Sequence, residues 1–184
     1  MSMALPTPET ISRRAAQRLL AYPWKLWFWG DSIGLEGLLD AAEFTGDREY
    51  FAFVHGMMKA WAARANQRGE WEYTAPGLAL MRVQEQTGDP ALLELARAHA
   101  AYLAGFRRSA GGVFIRYENA AFDRAPEIPG QPANRAAAGR DGGPCVFVDT
   151  MHFDAPFFAA LGRSTREPGY ARLAVDALAA QIEV

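Results

Sequence analysis

A recurring tripeptide limits what this chain can fold into. Thr45-Gly46-Asp47 and Thr87-Gly88-Asp89 stand about 40 residues apart, and Thr165-Arg166-Glu167 sits at the matching place in a third segment. Glycine ends a helix readily in the left-handed conformation and aspartate caps the next one, so each tripeptide reads as a tight helix–helix turn. Helix pairs repeated at this period build a solenoid or a closed ring, because one pair alone cannot bury its apolar face.

The rest of the chain fits that frame. Residues from about Pro8 to Ala21 predict an amphipathic helix that stops before Pro23. An apolar helix from Asp31 to Phe44 is followed by one from Arg48 to about Asn66, with Tyr50, Phe51, Val54, Met57, Met58 and Trp61 on a single face. Thr74-Ala75-Pro76-Gly77 opens the second pair, whose later helix from about Ala91 to Arg107 carries Leu92, Leu95, His99, Tyr102 and Phe106. The third begins at Asp149 and ends on a helix with Tyr170, Leu173, Val175, Leu178 and Ile182 on its face. Within each pair the less polar helix comes first, so it is expected inside, covered by the second. Residues 109–147 are broken by glycine and proline. There Val113-Phe114-Ile115-Arg116-Tyr117 predicts a short strand and the remainder a long loop, either functional or a surface excursion.

If all first helices run the same way, three acids meet at one end of the layer. Asp31 lies 16 residues before Asp47, Glu72 17 before Asp89 and Asp149 18 before Glu167. At 1.5 Å rise per residue each offset is roughly 25 Å. Inner-helix N-termini collect at that end and favour an anionic ligand group. Trp24, Trp27 and Trp29 crowd into six residues just before the first inner helix, either as a core plug or as a stacking surface for a flat ligand. Helix capping and dipole compensation are the alternative roles of Asp31 and Glu72.

The segment Val146 to Phe158 sets Asp149, His152 and Asp154 into an otherwise apolar run. A carboxylate buried there is expected to hold its proton, as a general acid near neutral pH must; the competing reading of Asp149 is a helix cap. His152, three residues on, is placed to tune that acid, to contact ligand or to pack in the core, and Asp154 to pair with it. His55 and His99 fall on outer helices as packing or surface residues.

Composition narrows the function further. The 184 residues hold 19 Lys plus Arg and 21 Asp plus Glu, a balance of −2 that suggests no general electrostatic grip on nucleic acid or membrane. The lone cysteine, Cys145, excludes an internal disulfide framework, and no histidine pair has metal-ligand spacing, so no metal is expected. A single cytoplasmic domain is the expectation.

Trp29-Gly30-Asp31-Ser32-Ile33-Gly34 leading to Thr45-Gly46-Asp47-Arg48-Glu49-Tyr50, Ala75-Pro76-Gly77-Leu78-Ala79-Leu80 leading to Thr87-Gly88-Asp89, and Val148-Asp149-Thr150-Met151 leading to Pro156-Phe157 resemble the unsaturated glucuronyl and rhamnogalacturonyl hydrolases of glycoside hydrolase families 88 and 105. The resemblance implies an all-α (α/α)6 toroid that removes a terminal 4,5-unsaturated uronic acid from lyase-generated oligosaccharides, without metal or organic cofactor. It implies Asp149 as general acid/base and Glu72, nearest to the family's second aspartate, as supporting acid. Trp27, Trp29, Asp31 and His152 are the expected substrate contacts.

Only about half of such a ring is present, three inner and four outer helices over residues 1–184. The open flank predicts either a longer protein or association of copies. The rival functions are a sugar epimerase or ordinary glycosidase on the same architecture, and a non-catalytic helical-repeat module that binds protein.

Overall fold

The computed structural model of the chain describes residues 5–24, 27, 29–64, 72–116 and 149–182. Its helices are α1 (Pro8–Leu20), α2 (Trp29–Thr45), α3 (Arg48–Ala63), α4 (Gly77–Thr87), α5 (Pro90–Ala104), α6 (Thr150–Phe153), α7 (Ala155–Thr165) and α8 (Pro168–Ile182), with a 3₁₀ turn at Glu72–Thr74. The protein is all-α. The short strand expected from Val113 to Tyr117 is absent as far as Arg116, and Tyr117 lies outside the described residues. In its place a tight reversal is closed by an isolated Arg108–Phe114 bridge and by hydrogen bonds from Ser109 N to Val113 O (2.8 Å) and from Ile115 N to Arg107 O (2.8 Å).

All three hairpin turns have the same construction. Gly46, Gly88 and Arg166 adopt φ of 71°, 65° and 57°. The preceding threonine hydroxyl donates back to the carbonyl four residues earlier, at Ala41 (2.6 Å), Val83 (2.8 Å) and Leu161 (2.8 Å). The same oxygen accepts from the amide two residues on, at Asp47 (3.3 Å), Asp89 (3.3 Å) and Glu167 (3.4 Å). Asp47 and Asp89 then cap α3 and α5 by accepting from Glu49 N (3.1 Å) and Ala91 N (2.9 Å). Arg13 of α1 holds the first turn from outside, reaching Asp47 and the Thr45 carbonyl at 3.0 Å each.

α2, α4 and α7 lie side by side as an inner row, and α3, α5 and α8 each pack on their own hairpin partner. Ion pairs cross the inner row. Arg82 of α4 reaches Asp40 (2.7 Å) and Glu43 (3.5 Å) on α2, and Arg163 of α7 reaches Glu85 of α4 (2.9 Å). Between the rows a file of rings links the hairpins: Trp27 to Trp61 (5.3 Å), Trp61 to His99 (5.2 Å) and His99 to Phe157 (5.2 Å). His99 is therefore a packing residue, one of the two roles expected from its outer-helix position.

Two burial expectations change. α2 leaves one stripe in solvent, with Trp29, Ile33, Asp40 and Phe44 exposed at four- and seven-residue spacing. On α8 the buried side chains are Ala174, Ala177 and Ala180, whereas Val175, Leu178 and Ile182 face outward. The cause is a close approach: a Cβ on Gly162 of α7 would lie 3.0 Å from the Ala171 amide, so only small side chains fit between these helices.

Candidate active site

The inner helices begin at the end of the layer opposite the turns, and the segments there are tied together. The Thr74 hydroxyl donates to the Trp27 carbonyl (2.7 Å), and the Ser32 hydroxyl donates to the Thr74 carbonyl. The 3₁₀ turn also packs against α6. Gly77 opens α4 directly under the Phe157 ring, where a Cβ would come within 2.8 Å of ring carbons.

The third inner helix is broken where a single helix was expected. α6 runs only from Thr150 to Phe153, and α7 restarts at Ala155 with Pro156 in its first turn, where the missing N–H costs nothing. The break turns neighbouring acids to different surroundings. Asp149 is exposed, correcting the expectation of an apolar pocket around it. Its backbone carbonyl accepts from His152 N (2.9 Å) and Phe153 N (3.2 Å), but its carboxylate forms no capping bond. Among the described residues that carboxylate has no hydrogen bond at all, which leaves it open to a ligand.

The buried acid is Asp154. It pairs with Arg116 rather than with His152 as expected, and both side chains are shut away from solvent. Burial pushes the Asp154 carboxyl up to about 6 in spite of Arg116's attraction, and the nearby charge of Asp149 adds to the rise. Burial likewise lowers Arg116 below the ordinary arginine value. The guanidinium lies 5.5 Å from the Tyr73 ring centre, 4.4 Å from Phe106 and 5.3 Å from Phe114. Arg116 Nε and Nη1 and Asp154 Oδ1 are buried without hydrogen-bond partners. The available sequence signal for this pair was an arginine closing the apolar run Val113-Phe114-Ile115.

His152 points the other way, toward the inner row. Its Nε2 stands 3.2 Å from a carboxylate oxygen of Glu36 on α2. Burial raises the Glu36 carboxyl above its usual range, opposed by the attraction of His152. Glu36 was not singled out in the sequence, although it continues the Trp29–Ile33 stripe by helical spacing.

The other expected contacts separate. Trp29 is 51% exposed and presents a ring to solvent. Trp27, at 1%, is a core plug against Trp61, and Asp31 is fully buried in the first turn of α2; neither offers surface to a ligand. Glu72 lies on the 3₁₀ turn beside α6, and its side chain is outside the described residues. Among the described residues no three His, Cys, Asp or Glu side chains gather as a metal site, and no helix is long and apolar enough to cross a membrane.

Stacked helical hairpins with an open carboxylate, a carboxylate–imidazole pair and an exposed tryptophan toward one end make this an all-α protein of repeated hairpins. The model of Glycosyl Hydrolase Family 88 matches residues 6–182, and the chain belongs to that family of glycoside hydrolases. Comparison with curated proteins and with solved structures gives no match.

Proposed function

We propose that this chain removes the terminal 4,5-unsaturated uronic acid from oligosaccharides left by polysaccharide lyases, with pectin-type (rhamnogalacturonan) fragments as the substrate class. The observation that carries the reading is the contrast among helix-start aspartates. Asp47 and Asp89 spend their carboxylates on capping, whereas Asp149 at the start of α6 keeps its own exposed and uncommitted. Family membership supports the same assignment. In its protonated form Asp149 delivers a proton to C4 of the C4–C5 double bond. As carboxylate it then takes a proton from the water that adds at C5. The product is a hemiketal at C5; its ring opens to the C5 ketone, which leaves C1 a hemiacetal that collapses to an aldehyde and releases the neighbouring sugar as its alcohol. This route differs from displacement at the anomeric carbon, which needs two carboxylates flanking the glycosidic bond. Glu72 is the supporting acid in this reading.

The test follows the ultraviolet absorbance of the unsaturated uronide, which disappears on hydration. Wild type should bleach it and Asp149→Asn should be slower by about 10²–10⁴-fold, the usual contribution of a general acid–base group. Equal rates for the two proteins would remove Asp149 from the chemistry.

A further inference from the structure

Trp29, Ile33 and Glu36 follow one another at four- and three-residue spacing on one stripe of α2, which runs about 10 Å along the helix from the exposed Trp29 and Ile33 to a mostly buried Glu36 whose partner His152 is the more exposed of the pair. That length accommodates a sugar ring beside the one being cleaved. Its upper part is an exposed indole followed by an exposed isoleucine. Its lower part is the Glu36–His152 pair, with His152 three residues from Asp149. A sugar ring has the matching two-sided chemistry, a C–H face that stacks on an indole and hydroxyls that donate to a carboxylate.

Among the described residues the charged groups along the strip are the acids Glu36, Asp40, Glu43 and Asp149, with Arg82 and the His152 imidazole as the basic ones. Arg82 is already held by Asp40 and Glu43, and Arg163 further along the inner row is held by Glu85. An anionic group placed beside Glu36 would meet like charge with these cations engaged elsewhere.

We propose that Trp29 and the Glu36–His152 pair form the subsite for the sugar attached to the departing uronide, and that Glu36 restricts that sugar to an uncharged one. The assignment rests on the proposed hydrolase reading and adds a specificity-determining residue to it. Trp29 is the platform, Glu36 accepts hydroxyl hydrogen bonds, and His152 holds Glu36 in place from the side of the reacting ring.

The experiment compares kcat/KM for unsaturated disaccharides whose second ring is either neutral or sulfated. Wild type should prefer the neutral partner by about 10-fold or more, the order expected of one like-charge contact. Glu36→Gln, which keeps the shape, should erase most of the preference, and Glu36→Lys should reverse it. Trp29→Ala should raise KM for both substrates with a smaller change in kcat. A ratio unmoved by either Glu36 substitution overturns the proposal even when turnover is normal. Quenching of tryptophan fluorescence by saturated disaccharides tests the subsite without turnover. If wild type hydrolyses nothing, yet a neutral disaccharide quenches through Trp29 more strongly than its sulfated counterpart, the subsite stands and the hydrolase reading fails. Absence of both turnover and quenching defeats the subsite too.

Discussion

At the turn end of the molecule the three hairpins are built alike, whereas at the opposite end no two begin in the same way. Each turn repeats one positive φ and the same pair of threonine hydroxyl bonds, even where arginine replaces glycine. At the other end α2 starts with an exposed tryptophan and a buried aspartate, and α4 follows a 3₁₀ turn with no side-chain cap. The third inner helix is split at an aspartate committed to an arginine. Repetition marks the end whose work is to reverse the backbone. The variable end holds Asp149, whose carboxylate caps no helix, and the ion-paired Asp154 and Glu36, and such departures from a regular scaffold are where a site can be grafted.

The Arg116–Asp154 pair should give the largest effect in breaking that contrast. Asp154→Ala removes the partner group outright, leaves a buried guanidinium unpaired and should cost about 3–5 kcal/mol in urea or thermal unfolding. Replacing both partners, Arg116→Met with Asp154→Leu, should restore stability to near wild type, because burying the pair is itself costly. A double variant as unstable as the single one would show that the pair's charges are not the issue. The pH dependence adds a second check. Asp154 holds its proton up to about 6 when folded, against about 3.9 in an unfolded chain, so between those values the folded state binds the extra proton. Its contribution is fully present below about pH 4 and is lost as pH rises through about 6. Relative to Asp154→Asn, wild type should therefore lose stability on going from about pH 5 to pH 7.

A medium effect is expected at the entrance to α4. Gly77→Ala pushes a methyl into the Phe157 ring and should destabilise by about 1–3 kcal/mol. Gly56 in the middle of α3 has no atom within 4 Å of an added Cβ, so Gly56→Ala should stabilise by about 0.5–1 kcal/mol. Parallel shifts in the two variants would argue against close packing as the reason for glycine at Gly77.

The contrast between the ends also explains what could be read beforehand. Turn chemistry is local, so Thr-Gly-Asp located the first two reversals, and the helices around them fall close to their expected bounds. Burial at the mouth depends on the fold. Three tryptophans in a non-periodic segment carry no sign of which enters the core, and only the meeting with Trp61 makes Trp27 the plug and leaves Trp29 outside. Asp149 and Asp154 share one apolar run, and the helix break at Asp154 sends the expected low-dielectric environment to the second of them. Pro156 was the clue, since proline in a first turn marks a fresh helix start. The α8 face misled because aliphatic periodicity pointed to Val175 and Leu178, while close approach at Gly162 selected alanines. Glu36 became visible only when a residue 116 positions away came within hydrogen-bonding distance.

The smallest expected effect is also the cleanest test of sameness at the turn end. Arg166 holds φ at 57° in the position where the other turns use glycine. A left-handed conformation costs an L-residue about 1–2 kcal/mol, and glycine avoids that cost but brings back about 0.4–1 kcal/mol of unfolded-chain entropy. Arg166→Gly should therefore stabilise the protein by roughly 1 kcal/mol or less. The Thr165 hydroxyl bonds and the 2.6 Å Arg97–Glu167 ion pair do not involve the Arg166 side chain, so they persist in the variant. The reciprocal Gly88→Ala should destabilise by a similar amount, with open space around the added methyl confining its effect to the backbone. Chemical denaturation of the two variants should give shifts of opposite sign. If Arg166→Gly instead weakens the protein, the arginine contributes contacts of its own, and the third turn is held by more than the geometry it shares with the other two.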